Sequence, residues 1–414
     1  MQPYLYDKEN GSKIEDFQIR EVLLSKLKKR FETYGYKQIQ TPAFEAYDVY
    51  SDLTGTVKKD DMIKVIDSSG KVLVLRPDVT IPITRMTALS NQPLQREKRY
   101  FYILDVFRQL SEENNQKEHT QAGVEYLGKN TPETDAEVIM LAVHLLKELD
   151  FPNFKIEIGH AGFFKELISK TALTEEQLEK LQLLIQSKNL AEIEPFLADL
   201  PIDEPLKQAI QQIPLLYGRP EEVIHKAKAI SITDQLQIEL ENLIKVWEVL
   251  EAYQISDHIV WNLGIINNMD YYSGIIFQGF VEHVGKPVLM GGRYDHLGAR
   301  YDKHIPAIGF AAEVDILLQA VLQQGLITKE KEMQDFTIFY HKDKQKNALA
   351  AAFQLRTKGY HVLTFTEDEE IDYSSRSEVY FTNYGNILYT NNQEQSFSDT
   401  ADLIGIVQEM EGEA

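Results

Sequence analysis

The sequence contains no cysteine, so disulfides, thiolate zinc sites and cysteine nucleophiles are excluded together. Long apolar runs are missing too. No stretch approaches a membrane span of roughly 20 apolar residues, and residues 1–12 (MQPYLYDKENGS) lack the basic start and apolar centre of a secretory signal. A cytoplasmic chain with no membrane partner is expected. Positive charge is scarce: 43 Lys and Arg against 64 Asp and Glu give a formal net charge of -21. Nucleic-acid binders normally offer phosphate a basic face, so no nucleic-acid partner is expected. No metal and no cofactor are expected either. What is present is a chain of 414 residues, 43% apolar and 26% charged, long enough for two or three domains.

The stretch from Lys98 to Leu127 organises the rest. Residues 100–107 are largely apolar on both alternating faces, as in a strand inside a sheet, and Arg108 closes them. A polar loop (QLSEENNQKEHT, from Gln109) leads into a return strand, Gln121–Leu127, that alternates with period two. Ala122, Val124 and Tyr126 point one way and Gln121, Gly123 and Glu125 the other. An amide and a carboxylate on one side, with a glycine between them, would make the floor of a small-molecule site. A solvated polar face of an antiparallel sheet is the commoner cause of such alternation.

Along the chain, residues 14–34 carry a helical apolar stripe ending at Gly35. Residues 62–75 read as a β-hairpin around Ser68-Ser69-Gly70, running into Arg76-Pro77-Asp78-Val79-Thr80, where Asp78 and Thr80 would share a face if the segment is extended. A helix is expected at 81–90, and another from a Thr134/Glu137 capping box to Leu149. His160, at the end of a short strand, reads as structural. Leucine-rich helical patterns over about 165–255 read as an inserted helical subdomain. Strands return with Trp261-Asn262-Leu263 and Asp270–Phe277, and Gly291-Gly292-Arg293-Tyr294-Asp295 reads as a turn where backbone can approach a ligand or another strand. Ala311–Gln323 is an apolar helix. After a charged linker, residues 335–414 read as a small acidic α/β domain, separate from a core spanning 1–328.

In this order the pieces resemble the catalytic core of a class II aminoacyl-tRNA synthetase, most closely histidyl-tRNA synthetase. Leu75–Thr80 (LRPDVT) is similar to that family's LRPEGT segment, and Phe107-Arg108 with Gln121–Glu125 (QAGVE) to its second motif. Asp270-Tyr271-Tyr272 and Gly291–Asp295 (GGRYD) are similar to its two histidine-recognition segments. The resemblance implies an α+β fold, an antiparallel sheet flanked by helices, with a helical insertion and a small C-terminal α/β domain. It also implies a histidine-like pocket of Asp78, Thr80, Arg108, Gln121, Glu125, Tyr272 and Tyr294. In that pocket a carboxylate meets the α-ammonium, an acceptor meets an imidazole N–H, and an aromatic wall meets a flat ring.

The adenylation machinery does not follow the pattern. Where the synthetase has an arginine before its Gly-Leu-Asp-Tyr-Tyr run, this chain has Asn267; where the third motif has one, it has Ile316; the second motif's loop opens Gln109-Leu110-Ser111-Glu112 and holds three glutamates against one lysine. Such a pattern resembles the synthetase paralogues that serve as regulatory subunits of ATP phosphoribosyltransferase. That resemblance implies a non-catalytic chain with no catalytic residues of its own, required for the activity and the histidine feedback control of the first step of histidine biosynthesis. The implied partners are a short-form catalytic subunit, a second copy in a class II type dimer within a hetero-octamer, and histidine. An active histidyl-tRNA synthetase is the alternative.

Overall fold

Lys98–Phe107 and Glu118–Leu127 pair antiparallel through ten register positions and sit inside a nine-stranded sheet. In the computed structural model, which describes residues 14–51, 57–90, 97–109, 117–266, 271–327, 334–369, 375–390 and 393–412, the strands run in the order Lys37–Gln38, Lys98–Phe107, Glu118–Leu127, Ala307–Glu313, Leu289–Arg293, Ile275–Val281, Phe154–His160, Ile259–Asn262, Tyr217–Gly218. Neighbours are antiparallel except the first pair and the pair Phe154–His160 with Ile259–Asn262. Chain segments far apart in sequence are thereby laid side by side, and a site can form across them.

Each face of the sheet has one use. On the first, Phe101, Val124, Phe310, Gly291 and Phe277 stand in register across five strands. They pack beneath the helices Ile14–Thr33, Pro132–Glu148 and Val314–Gln324 in the main core. Phe31 meets Phe101 at 5.5 Å and Phe310 at 6.3 Å between ring centroids. Full burial of a ring of this kind contributes about 1.5–3 kcal/mol. The Gly291 position, expected as a turn, lies inside the strand Leu289–Arg293. A Cβ there would stand 2.4 Å from Phe310 Cβ and 2.8 Å from Phe277 Cζ, so the glycine lets two aromatic residues close over it.

The second face carries Tyr102, Gly123, Ala311 and Met290 in one row and Tyr100, Glu125, Gly309 and Gly292 in the next. Residues 120–127 are all buried, so the polar alternation of the return strand does not face open solvent.

Local signals fall close to their expected places, with reasons where they miss. The helix Thr80–Leu89 begins one residue early and holds Pro82 in its first turn, where no N–H is required. The helix Pro132–Glu148 is capped by Thr131, whose side chain accepts from Thr134 N; Glu137 instead pairs with Arg99, 2.6 Å away. Asp270–Phe277 is not one strand: Asp270 lies outside the described residues, and the strand runs Ile275–Val281. The helical segment comprises Glu175–Gln186, Leu190–Ala198, Glu204–Gln212, Pro220–Ala229 and Asp234–Ala252. No helix among the described residues is long and apolar enough to cross a membrane.

The chain divides into two compact units, Met1–Thr328 and Lys329–Ala414. In the second, a five-stranded sheet runs in the order Val362–Thr366, Gln334–Tyr340, Ser375–Thr382, Gly385–Thr390, Gln393–Phe397. Its core lies between one sheet face and the helices Gln345–Thr357 and Thr400–Gly412.

Candidate functional site

Asp78 and Thr80 are delivered by a tight join between strand and helix. Arg76, held extended by Pro77, is buried and donates through Nη1 to Thr41 O at 2.7 Å and through Nη2 to Asp105 O at 2.6 Å. With the backbone pinned there, Asp78 Oδ1 accepts from Ile81 N at 2.7 Å and satisfies one free donor of the helix that Thr80 begins. Both side chains reach the same cavity, although the segment turns rather than continuing extended.

That cavity, of about 180 Å³, lies on the second face of the large sheet. The structure brings to it all seven residues singled out in the sequence, Asp78, Thr80, Arg108, Gln121, Glu125, Tyr272 and Tyr294. Eight further residues line it: Tyr102, Met290, Gly309, Ala311 and Glu313, Tyr271 and Gly291 from the two segments similar to histidine-recognition motifs, and Phe310, whose ring packs on the other face; of these, Tyr102, Met290 and Glu313 carried no site reading in the sequence. A signal for Glu313 existed, since alternation over 307–313 sets Gly309, Ala311 and Glu313 on one side. Register then places them against Glu125, Gly123 and Gln121.

Glu125 is the centre of the polar network. Thr80 Oγ1 donates to its Oε1 at 2.6 Å and the Tyr294 hydroxyl donates to its Oε2. Burial nonetheless pushes the Glu125 carboxyl up to about 8, the two hydroxyl donors opposing the shift and Asp78 adding to it. Asp78 is also raised, chiefly by burial, with the Ile81 N–H and Arg108 pulling the other way. Arg108 Nε donates to Pro77 O at 2.8 Å, and Gln121 Nε2 donates to Glu313 Oε1 at 2.7 Å. Tyr271 stacks on Tyr294 at 5.2 Å and meets Tyr272 edge-on at 4.9 Å, giving an aromatic wall. A buried acid, a half-buried one, a flat wall and several hydroxyls suit a small ligand with a cationic amine and a planar N–H-bearing ring.

Room for that ligand depends on missing side chains. A Cβ on Gly309 would stand 2.1 Å from Glu125 Oε2 and 2.3 Å from Val124 O. The carboxylate could swing aside, but the strand backbone could not. Gly309→Ala is therefore expected to lower stability by about 1–3 kcal/mol and to displace Glu125 from Thr80 and Tyr294, read as a lower urea midpoint with loss of ligand binding.

Behind the wall, Arg293 is buried between Asp135 and Asp295. Its Nε donates to Asp135 Oδ1 and its Nη1 to Asp295 Oδ1, each at 2.9 Å. Asp295 N donates to Ser273 Oγ at 2.9 Å, and Ser273 N donates to Arg293 O at 2.7 Å. This cluster ties the Tyr271–Tyr272 segment to the Tyr294 segment. His160 is buried 3.5 Å from Glu239 and away from the cavity lining.

Cations are few where a nucleotide would need them. Among the described residues lining the cavity, Arg108 is the one cation, against Asp78, Glu125 and Glu313. Ile316 packs partly buried against the main core, and the neighbouring Asp315 accepts Thr120 N at 3.1 Å. Asn267 and loop residues 110–116, including Leu110, Ser111 and Glu112, lie outside the described residues. No group of three or more His, Asp or Glu placed to hold a metal is found among the described residues.

Residues 13–317 match the family model for histidyl-tRNA synthetase. The chain is 49% identical over 351 residues to an ATP phosphoribosyltransferase regulatory subunit of Oceanobacillus iheyensis, covering 84% of this chain and 85% of that one. It is 37% identical to the regulatory subunit of Acetivibrio thermocellus, covering 82% and 81%. Among solved structures, it is similar to an ATP phosphoribosyltransferase regulatory subunit/histidyl-tRNA synthetase from Bacillus halodurans, with a TM-score of 0.79, 26% identity, and 92% and 99% of the two chains covered. A histidyl-tRNA synthetase from Nostoc, at 18% identity and a TM-score of 0.75 over 95% and 96%, shares the fold.

Proposed function

The chain belongs to the ATP phosphoribosyltransferase regulatory subunits, within the histidyl-tRNA synthetase family, and from that premise we propose that it is a non-catalytic subunit that binds histidine in the cavity on its sheet and passes occupancy to a glycosyltransferase partner. The observation that carries the reading is the cavity's composition. It keeps what an amino acid with an imidazole ring needs, while its described lining offers a single guanidinium, on Arg108.

Adenylation develops negative charge between a carboxylate and an α-phosphate, and fixed donors stabilise it. Losing one such donor costs about 2.7–4 kcal/mol of barrier. With Asn267 and Ile316 at the sequence positions where the synthetase has arginines, and with Glu313 in the cavity lining and Asp315 beside Ile316, the local charge favours exclusion of ATP over its activation.

In this reading the partner is a short-form catalytic subunit, and the regulatory chain pairs with a second copy inside a hetero-octamer. A groove of about 290 Å³ lined by the exposed Phe44, Met86 and Leu89 supports self-pairing, since apolar surface of this kind favours burial. Histidine controls the assembly only by favouring one of two quaternary arrangements, because equal affinity for both changes nothing.

The test has two parts. Histidine-dependent exchange of pyrophosphate into ATP is expected to be absent; robust exchange would restore the synthetase alternative. Adding this chain to a short-form phosphoribosyltransferase is expected to switch on phosphoribosyl transfer to ATP, and histidine to switch it off. Failure to alter that activity would remove the regulatory reading.

A further inference from the structure

The second unit has a sheet with one face in its core; the helices Gln345–Thr357 and Thr400–Gly412 pack on that face, and no described helix of the unit packs on the other. Phe336, Ile338, Tyr340, Val379, Phe381 and Leu388 form the core with the two helices. The alternate residues point the other way. Register sets Phe365, Phe339, Tyr380 and Ile387 in one row across four strands, with Leu363, Thr337, Glu378 and Tyr389 in the next. The rings touch: Phe339 stacks on Tyr380 at 4.9 Å and 16°, Phe365 lies 6.3 Å from Phe339, and Tyr389 meets Tyr380 edge-on at 5.6 Å. Thr337 is buried; the other seven are half-buried or exposed, and none of the apolar ones belongs to the unit's core.

An aromatic row on a sheet face can stack nucleic-acid bases, provided cations receive the phosphates. Here carboxylates border the rings instead. The Tyr380 hydroxyl donates to Glu378 Oε2 at 2.8 Å and the Tyr389 hydroxyl donates to Glu394 Oε2 at 3.1 Å. Glu367, Glu378 and Glu394 are exposed. The cations of this face already face acids: Arg376 and His361 lie 3.8 and 3.5 Å from Asp335, and His341 lies 3.8 Å from Glu367 and 3.5 Å from Asp343. Ring faces carry negative charge and attract guanidinium and ammonium groups, and the bordering carboxylates hold the same groups by charge-assisted hydrogen bonds.

We propose that this face is a docking surface for an arginine-bearing segment of a partner polypeptide, whose guanidinium groups stack on Phe339 and Tyr380 and pair with Glu378 and Glu394. The surface is distinct from the histidine cavity, and its test does not depend on that reading.

The experiment uses the full chain and a labelled nine-residue peptide of alternating arginine and alanine, followed by fluorescence anisotropy, with single-stranded oligouridylate as the competing class of ligand. Tyr380→Ala leaves the net charge unchanged and is expected to weaken peptide binding at least tenfold, as is the pair Glu378→Gln and Glu394→Gln. Phe353→Ala, at a 71% exposed position on the helix Gln345–Thr357, controls for general surface effects and is expected to change binding less than twofold. Tyr389→Ala, at the edge of the row, serves as a second ring variant if Tyr380→Ala does not fold. Peptide binding in the ring variant that folds within twofold of the wild type, an equal loss in Phe353→Ala, or tighter binding of oligouridylate than of peptide overturns the proposal.

Discussion

Glu125→Gln is expected to make the protein more stable than the wild type in mildly alkaline solution, and the gain should disappear on acidification. The folded carboxyl is pushed up to about 8 from its ordinary value of 4.5, because burial costs its charged form more than Thr80 and Tyr294 return. The folded state therefore binds more protons than the unfolded state between those values. A raised carboxyl contributes stability that is fully present below the unfolded value and lost as pH rises through the folded one. The slope is about 1.4 kcal/mol per pH unit, so about 5 kcal/mol separates the two ends. Glutamine cannot ionise, so its unfolding free energy should lack this component. Asp78, also raised by burial, contributes with the same sign in both proteins, and loss of the neighbouring Glu125 charge, which is coupled to it, adds to the gain. Urea unfolding of both proteins at about pH 5 and pH 9 is the measurement; a constant difference across that range contradicts the assignment. The same substitution sets an amide NH2 where a carboxyl oxygen accepts from Thr80 or Tyr294, leaving donor against donor in the cavity, so histidine binding by calorimetry is expected to weaken at least tenfold.

How much of this was legible in the chain varies with how local the signal was. The seven cavity residues lie in short motifs whose spacing survives in the fold, and the alternation of Gln121, Gly123 and Glu125 alone placed them on one side of a strand. The strand Gln393–Phe397 has no apolar period to announce it, since four of its five residues are exposed at a sheet edge. Nothing local distinguishes Asp135 from any acid in the first turn of a helix, yet it is buried beside Arg293, 158 positions away. The glycines at 291 and 292 read as a turn open to close backbone approach. The close approach is there, by Phe310 of the next strand and by Tyr272 of the preceding loop, but it occurs inside a strand, and which residues approach is a tertiary fact that one strand's pattern does not carry. Fold and pocket floor are written locally, while the supports of the pocket are written in pairs of distant residues.

Those supports set the second large effect. Arg293→Met is expected to destabilise the protein by about 3–5 kcal/mol, the usual cost of leaving a buried charge without its partner, which is a large share of a typical total of about 5–15 kcal/mol. The arginine is 4% exposed, and its removal strands Asp135, 1% exposed, together with Asp295. Asp295 keeps Asn130 Nδ2 and Ala307 N as donors, each at 2.9 Å, whereas Asp135 Oδ1 loses the guanidinium that supplies both of its side-chain hydrogen bonds. Burial already pushes the Asp135 carboxyl up to about 6 against the pull of Arg293. Without that pull it rises further, and the stability tied to its proton is lost as pH rises. The deficit should therefore be largest near pH 8 and shrink toward pH 5, where protonation discharges the stranded acid. Adding Asp135→Asn to Arg293→Met should recover part of the loss at pH 8 and little at pH 5, because an amide there has no charge to leave unpaired. Ligand binding should not recover with it. Ser273 and Asp295 hold the Tyr272 and Tyr294 segments together around Arg293, and a stable double variant that still fails to bind histidine would separate the role of this cluster in shaping the wall from its role in folding. A double variant that binds as tightly as the wild type would show that the wall needs only the backbone bonds.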